Sequence, residues 1–192
     1  MTGSLIDKFD VNSIEYALLK SSAKSLVFLV KLSDVSEIGK IMKELGFRKR
    51  KSPSKDIYMY GMNDFVYFQK MDFQVIFQFQ ISCKSSLHGE WIPLDRVVNV
   101  GALERRVKND TIYYLNDVDY LCYLLADSVY TEGTFAAERS KLIYDLYEKV
   151  DKASFNTKLE KIFFKFSRNI ISLIQEKKLD MIIDELFRFS DY

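Results

Sequence analysis

A chain of 192 residues with 48% hydrophobic content can bury a sizeable core, as one domain or as a small domain with a helical appendage, which excludes global disorder. Lys and Arg number 28 against 27 Asp and Glu, so the net charge of +1 excludes attachment to nucleic acid or to an anionic membrane by overall charge, although a local patch is still possible. Two cysteines, Cys83 and Cys122, and one histidine, His88, exclude a disulfide scaffold and a structural zinc site, and they suit a reducing compartment.

Residues 1–13 contain no long apolar run, so no secretory signal is expected there. The longest uninterrupted apolar run, residues 26–30, is too short to span a bilayer. The expectation is a soluble cytoplasmic protein. With 2 Pro and 7 Gly there is no flexible linker, and no internal repeat is visible.

Leu5 and Phe9 belong to a short helix ending near Val11. Residues 14–19 (IEYALL) read as a strand, and the polar break KSSAK follows at 20–24. Residues 25–31 (SLVFLVK) are apolar on both faces and predict a central strand. Ser33 or Asp34 is expected to cap the next helix, with Glu37 in its first turn. Val35, Ile38, Ile41, Met42 and Leu45 form its apolar stripe, and Gly46 ends it through a left-handed backbone.

The most basic run is RKRKSPSK at 48–55. Its Pro and Ser content reads as a solvated loop, and the competing reading is a phosphate or nucleic-acid contact. Residues 56–60 suit a short strand, and Asn63 and Asp64 a turn. Residues 65–81 (FVYFQKMDFQVIFQFQI) carry the clearest pattern. Met71, Phe73, Val75, Phe77, Phe79 and Ile81 alternate with Lys70, Asp72, Gln74, Gln78 and Gln80. Period two predicts one half-buried strand with Asp72 and Gln74 on its polar face.

The loop after Ile81 holds His88, which beside Gly89 reads as a surface residue, since no Ser-His-acid or Cys-His spacing surrounds it. Residues 94–107 form a mixed segment with a short helix, and 111–115 (TIYYL) an extended piece. From Asn116 the pattern is helical, with apolar stripes over 118–125, 135–150, 159–174 and 181–189. The division is therefore an α/β domain over 1–115 and a helical region over 116–192 packed on it. The fold class is α+β: a small mixed sheet with flanking helices, followed by a C-terminal helical bundle.

The element order across residues 10–150 resembles the nucleotidyltransferase fold, the polymerase-β-like domain, and within it a bacterial subgroup found with surface-polysaccharide genes. Residues 14–19 resemble its first strand, 45–47 (LGF) its helix end, 70–73 (KMDF) its third-aspartate strand and 139–146 (RSKLIYDL) its basic helix. The resemblance implies two-metal nucleotidyl transfer, in which paired aspartates bridge the ions and a third aspartate helps hold one.

The departures fall on that chemistry. The Gly-Ser turn corresponds to Lys20, Ser21 and Ser22 without its glycine, where backbone amides must approach a triphosphate closely. The paired aspartates align with Ser25 and Val27, and no acidic residue lies between Glu15 and Asp34. Asp72 is left as the one catalytic or metal candidate. Ser21, Ser22, Lys24, Gln74, Arg139 and Lys141 are the ligand candidates that the resemblance implies. The expectation is a degenerate member without transferase activity that binds a nucleotide, a sugar-phosphate or a protein partner, including a second copy of itself. The alternatives are an active Mg²⁺ enzyme with ligands drawn from Asp34, Asp56 or Asp64, and a purely structural interaction module.

Overall fold

The computed structural model describes residues 2–53, 55–86 and 88–190. In chain order the elements are α1 (Thr2–Val11), β1 (Tyr16–Ser21), β2 (Ser25–Val30), α2 (Val35–Glu44), β3 (Arg48–Arg50), β4 (Ile57–Tyr58), β5 (Val66–Lys70) and β6 (Phe73–Gln78). There follow β7 (Ser82–Lys84), β8 (Glu90–Pro93), α3 (Arg96–Asn99), β9 (Val107–Asn109) and β10 (Ile112–Tyr114). The remainder is helical: α4 (Asp117–Ala126), a π-helical turn (Asp127–Glu132), α5 (Ala137–Lys149), α6 (Lys152–Phe163), α7 (Ser167–Gln175) and α8 (Met181–Ser190). No helix among the described residues is long and apolar enough to cross a membrane.

Two compact units result. One joins the chain up to Ile81 with Gly101–Asn116, and the other joins Ser82–Val100 with the chain from Asp117 on. The mixed α+β class is as the sequence predicts. The segment 82–100, which sequence order places beside the sheet, clusters instead with the helices.

The first unit is a seven-stranded mixed sheet of order β3-β5-β6-β2-β1-β10-β9. β2 lies at its centre, as its two apolar faces predict, antiparallel to β1 and parallel to β6. α1 and α2 supply Phe9, Ile38, Ile41 and Met42 to one core with Tyr16, Phe28, Val75 and Phe77 from the strands. Gly46 closes α2 with φ +79°, the left-handed conformation that glycine adopts without a Cβ penalty. Asp34 stands at the N-cap of α2, but its side chain makes no capping bond there. Ser33 Oγ sits 2.9 Å from Asp34 Oδ1, so both expected caps are engaged with each other, after a 3-10 turn at Leu32–Asp34.

The strand expected over 65–81 is a hairpin. β5 and β6 pair antiparallel, with Lys70 opposite Phe73 and Val66 opposite Phe77 around a two-residue turn of Met71 and Asp72. Met71 turns the chain at φ +52° and is 88% exposed. Residues facing each other across a hairpin share a face, so core positions are even-numbered in β5 (Val66, Phe68) and odd-numbered in β6 (Phe73, Val75, Phe77). The sequence does not mark the turn, because residues 65–68 (FVYF) are apolar or aromatic at both parities. A continuous strand would keep one parity throughout. Gln78, expected on an open face, is buried.

The basic run is also corrected in part. Its first three residues form β3 at the sheet edge, paired with β5 as Arg48↔Gln69, Lys49↔Phe68 and Arg50↔Tyr67. Gly39 lies inside α2, where an added Cβ would meet nothing within 4 Å. Gly39→Ala is therefore expected to stabilise the protein by about 0.5–1 kcal/mol, because glycine in a helix interior has more conformational freedom to lose. An unchanged or lowered urea midpoint would contradict this.

In the second unit α4 is apolar almost all round, with Leu121–Ala126 buried. It packs against α5, α6 and β7. Its first turn buries Asp119, which pairs with Lys158 of α6. β7 and β8 form an antiparallel hairpin in which Cys83 faces Ile92. The helix expected over 159–174 is broken into α6 and α7 by a 3-10 turn at Phe164–Phe166. Phe164 there adopts φ +51° with its ring 72% exposed.

Four tyrosines give the fold a pH dependence. Burial, joined by the Asp10 charge, pushes Tyr16 up to about 12, and burial pushes Tyr130 up to about 12. Tyr67 and Tyr123 are raised as well, each by burial first. A raised phenol keeps its proton in the native state after the unfolded chain has lost it near 10. The stabilisation is thus complete below about pH 10 and lost as pH rises toward the folded values. Urea midpoints should hold up to about pH 9 and fall steadily above about pH 10, with phenolate absorbance lagging behind that of the unfolded chain.

Candidate functional site

The turn residues expected to meet a phosphate do come together, at one end of the sheet. In the β1–β2 turn the Ser22 amide donates to the Ser25 carbonyl at 2.8 Å. Ser22 Oγ accepts from the Lys24 amide at 3.3 Å and the Ser25 amide at 3.0 Å, and lies 2.9 Å from Ser25 Oγ. The Gln74 amide donates to the Lys24 carbonyl at 2.9 Å, which ties this turn to the start of β6. Ser21, Ser22, Lys24 and Gln74 are thereby neighbours, with Asp72 exposed on the adjacent hairpin turn.

The chemistry of this cluster differs from a phosphate cradle. Such a cradle needs backbone amides aimed outward. Here the amides of Lys24 and Ser25 point to the hydroxyl of Ser22, a local side-chain turn. The turn is stable without an anion because it supplies its own acceptor.

The strand positions that the sequence resemblance assigns to metal ligands are uncharged. β2 and β6 run parallel in register, with Ser25 beside Gln74 and Val27 beside Ile76. No residue of β1, β2, β5 or β6 is acidic. Asp72 is on the hairpin turn, not on a strand face beside Gln74, which corrects the sequence reading. Among the described residues no three His, Cys, Asp or Glu side chains gather as a metal-holding group. Mg²⁺ takes several hard oxygen ligands in near-octahedral geometry, so the residues present do not fit a two-ion site.

The other candidate ligands lie elsewhere. Asp34 bonds Ser33. Asp56 accepts from Tyr67 Oη, which lies 3.2 Å from Tyr58 Oη, and Ser52 Oγ lies 3.2 Å from Tyr58 Oη. This Ser52–Asp56–Tyr58–Tyr67 network is invisible to periodicity, since it joins a loop to the sheet. Asp64 lines a basic groove beside β3.

Arg139, expected to face a ligand, belongs to the second unit and is engaged internally. Its guanidinium donates to Asp127 Oδ2 at 2.8 Å and Ser128 Oγ at 3.3 Å, and lies 3.7 Å from Glu132. All three partners sit on the π-helical turn, so Arg139 fastens α5 to it. Lys141 is exposed on α5. The second unit also holds an apolar cavity of about 340 Å³, lined by Cys83, Ile92, Leu94, Tyr130, Ile162 and Phe164. Tyr130 stacks on Phe163 at its wall, with centroids 5.4 Å apart and planes 12° from parallel.

Two grooves flank the β3 edge. One, of about 370 Å³, lies beside α2 and is lined by Val35, Gly39, Lys43, Phe47, Val66 and Phe68, with Arg48 and Lys49. The other, of about 730 Å³, is lined by Lys49, Arg50, Lys51, Ser52 and Asp64, with Phe65 and Val66 beneath.

A mixed sheet flanked by helices and followed by a helical region defines this as a nucleotidyltransferase-like fold. The chain is similar to the solution structure of the antibiotic-resistance factor ANT(2'')-Ia, an aminoglycoside nucleotidyltransferase. The TM-score is 0.51, covering 91% of this chain and 95% of that one at 7% identity. No family model and no curated protein matches the chain.

Proposed function

We propose that this protein is a nucleotidyltransferase-fold chain that works by binding and does not transfer nucleotides. The observation that supports this most directly is the β2–β6 pair, where Ser25, Val27, Gln74 and Ile76 occupy the in-register positions at the sheet's centre. Val27 and Ile76 offer no oxygen to a metal, and Ser25 and Gln74 offer only neutral ones. Two-metal transfer needs carboxylates that bridge both ions, and the ions in turn neutralise the developing negative charge. Asp72 is a residue of that ancestry, carried on a solvated turn.

The binding would be of a nucleotide or sugar-phosphate at the β1–β2 turn end, or of a protein partner. The setting is cytoplasmic, in keeping with the buried thiols of Cys83 and Cys122. The bacterial surface-polysaccharide subgroup is the family context that the residue pattern over 10–150 favours.

The test is pyrophosphate release from each nucleoside triphosphate with Mg²⁺ or Mn²⁺, run beside thermal shift with the same nucleotides. The expected result is no metal-dependent release, and melting and turnover indistinguishable between wild type and Asp72→Asn. A nucleotide present at a hundredfold excess over its Kd would add about 2.7 kcal/mol of stability by mass action. Metal-dependent release that disappears in Asp72→Asn would falsify the reading.

A further inference from the structure

The seven-stranded sheet ends at β3, and three features of that edge converge. All three residues of β3 are exposed and basic, and Lys51 extends the run. Lys43 of α2 adds a fifth cation. Among the described residues no carboxylate pairs with any of these five, while the neighbouring Lys40 is matched by Glu37. β3 is bonded to β5 on one side and is terminal in the sheet order on the other. Finally, the edge is bordered by the apolar-floored groove beside α2 and by the wider basic groove.

Charged residues on an edge strand commonly serve to repel other strands. A guard needs no concavity beside it, and this edge has two. One of them is floored by Phe47, Val66 and Phe68 and kept open by Gly39, whose missing Cβ would meet nothing within 4 Å. Recognition by strand addition has this composition: main-chain bonds give affinity, and pockets for alternate side chains give specificity. Because successive side chains point to opposite faces, a strand laid along β3 would turn every second residue to the face of Lys49 and Phe68, where the α2 groove lies, and the others to the face of Arg48 and Arg50.

We propose that the β3 edge binds an extended acidic segment of a partner protein as an added strand, with apolar side chains in the α2 groove and carboxylates against Arg48 and Arg50. This deepens the binding reading above by naming a partner class, and it concerns a different surface from the β1–β2 turn. A peptide is favoured over nucleic acid on three counts. The net charge is +1. Asp64 stands in the wider groove. An apolar floor offers nothing to phosphates.

The experiment is selection from a random heptapeptide display library on the full chain, on Lys49→Glu/Arg50→Glu and on Gly39→Leu. Wild type should enrich peptides that alternate acidic and apolar residues. The charge-reversed pair should lose the acidic preference, and Gly39→Leu the apolar one, each with affinity for the best peptide down about tenfold or more. Methylating alternate backbone amides of that peptide should weaken it by a similar factor, since main-chain bonds carry the strand. Enrichment without acidic bias, no enrichment, or equal binding of the methylated peptide overturns the proposal. So does oligodeoxythymidine binding as tightly as the peptide, which assigns the edge to phosphates. If the charge-reversed pair does not fold, Gly39→Leu and the methylated peptide still decide the outcome. Pyrophosphate release in the transfer assay would overturn the binding-only reading while leaving the peptide result to stand by itself.

Discussion

Asp119→Ala is expected to lower the unfolding free energy by about 3–5 kcal/mol, because it leaves a buried ammonium without its carboxylate. Asp119 is fully buried in the first turn of α4, and the Lys158 side chain on α6 is 11% exposed. Charges leave water at a large cost, and a pair formed in the interior offsets most of it only while both members are present. Truncating either member makes the remaining charge the dominant loss. Lys158→Met should therefore also destabilise. Replacing both with apolar residues of similar volume should recover much of the stability, since the intact pair contributes little beyond its own desolvation.

Urea unfolding of the two single variants and the double variant completes the cycle. A single-variant loss below about 1 kcal/mol would mean that water reaches the site and screens the pair. Cys122 supplies a second readout. Burial pushes its thiol up to about 12, with the Asp119 charge raising it and Lys158 lowering it. Removing Asp119 while keeping Lys158 should bring the thiol pKa down, and reaction with a small thiol reagent should quicken at mildly alkaline pH.

Phe77→Ala should cost about 3–5 kcal/mol, through lost transfer energy and the cavity left behind. Phe77 is fully buried. Its ring stacks on Phe28 with centroids 5.8 Å apart, meets Phe68 edge-on at 5.9 Å and lies 6.1 Å from Phe9. Rings held by four separate elements cannot close over the gap without moving the sheet relative to α1. Met71→Ala, six residues earlier in the same period-two series, should change stability by no more than about 0.5 kcal/mol, because its side chain is on the hairpin tip in solvent. A continuous strand would have placed both on one buried face. Comparable losses at the two positions would argue against the hairpin.

The comparison of these two residues also shows how much was legible beforehand. β2, the α2 stripe and Gly46 could be read locally, because each depends on contacts within a few residues and on backbone preferences of single residue types. Residues 65–81 could be read for periodicity but not for connectivity, since a two-residue turn leaves the odd-numbered series from Met71 to Ile81 intact. Phe65, Val66, Tyr67 and Phe68 are apolar or aromatic at both parities, so the pattern carries no parity change at the turn. β3 escaped because an edge strand can be all polar, so Arg48, Lys49 and Arg50 carry no hydrophobic alternation to detect. Arg139 looked available for a ligand because its partner Asp127 lies on a π-helical turn that spacing rules for an α-helix do not describe.

The sequence by itself determined the mixed α+β class, the central place of β2 and the absence of acidic residues from β1, β2, β5 and β6. These follow from residue types at given positions, which no packing can alter. Only the tertiary structure decided that Arg139 is bound by Asp127 and that the basic run forms an open edge between two grooves. Those outcomes depend on which distant groups approach within hydrogen-bonding range, and a side chain's partners are set by the folded backbone, not by its neighbours in the chain.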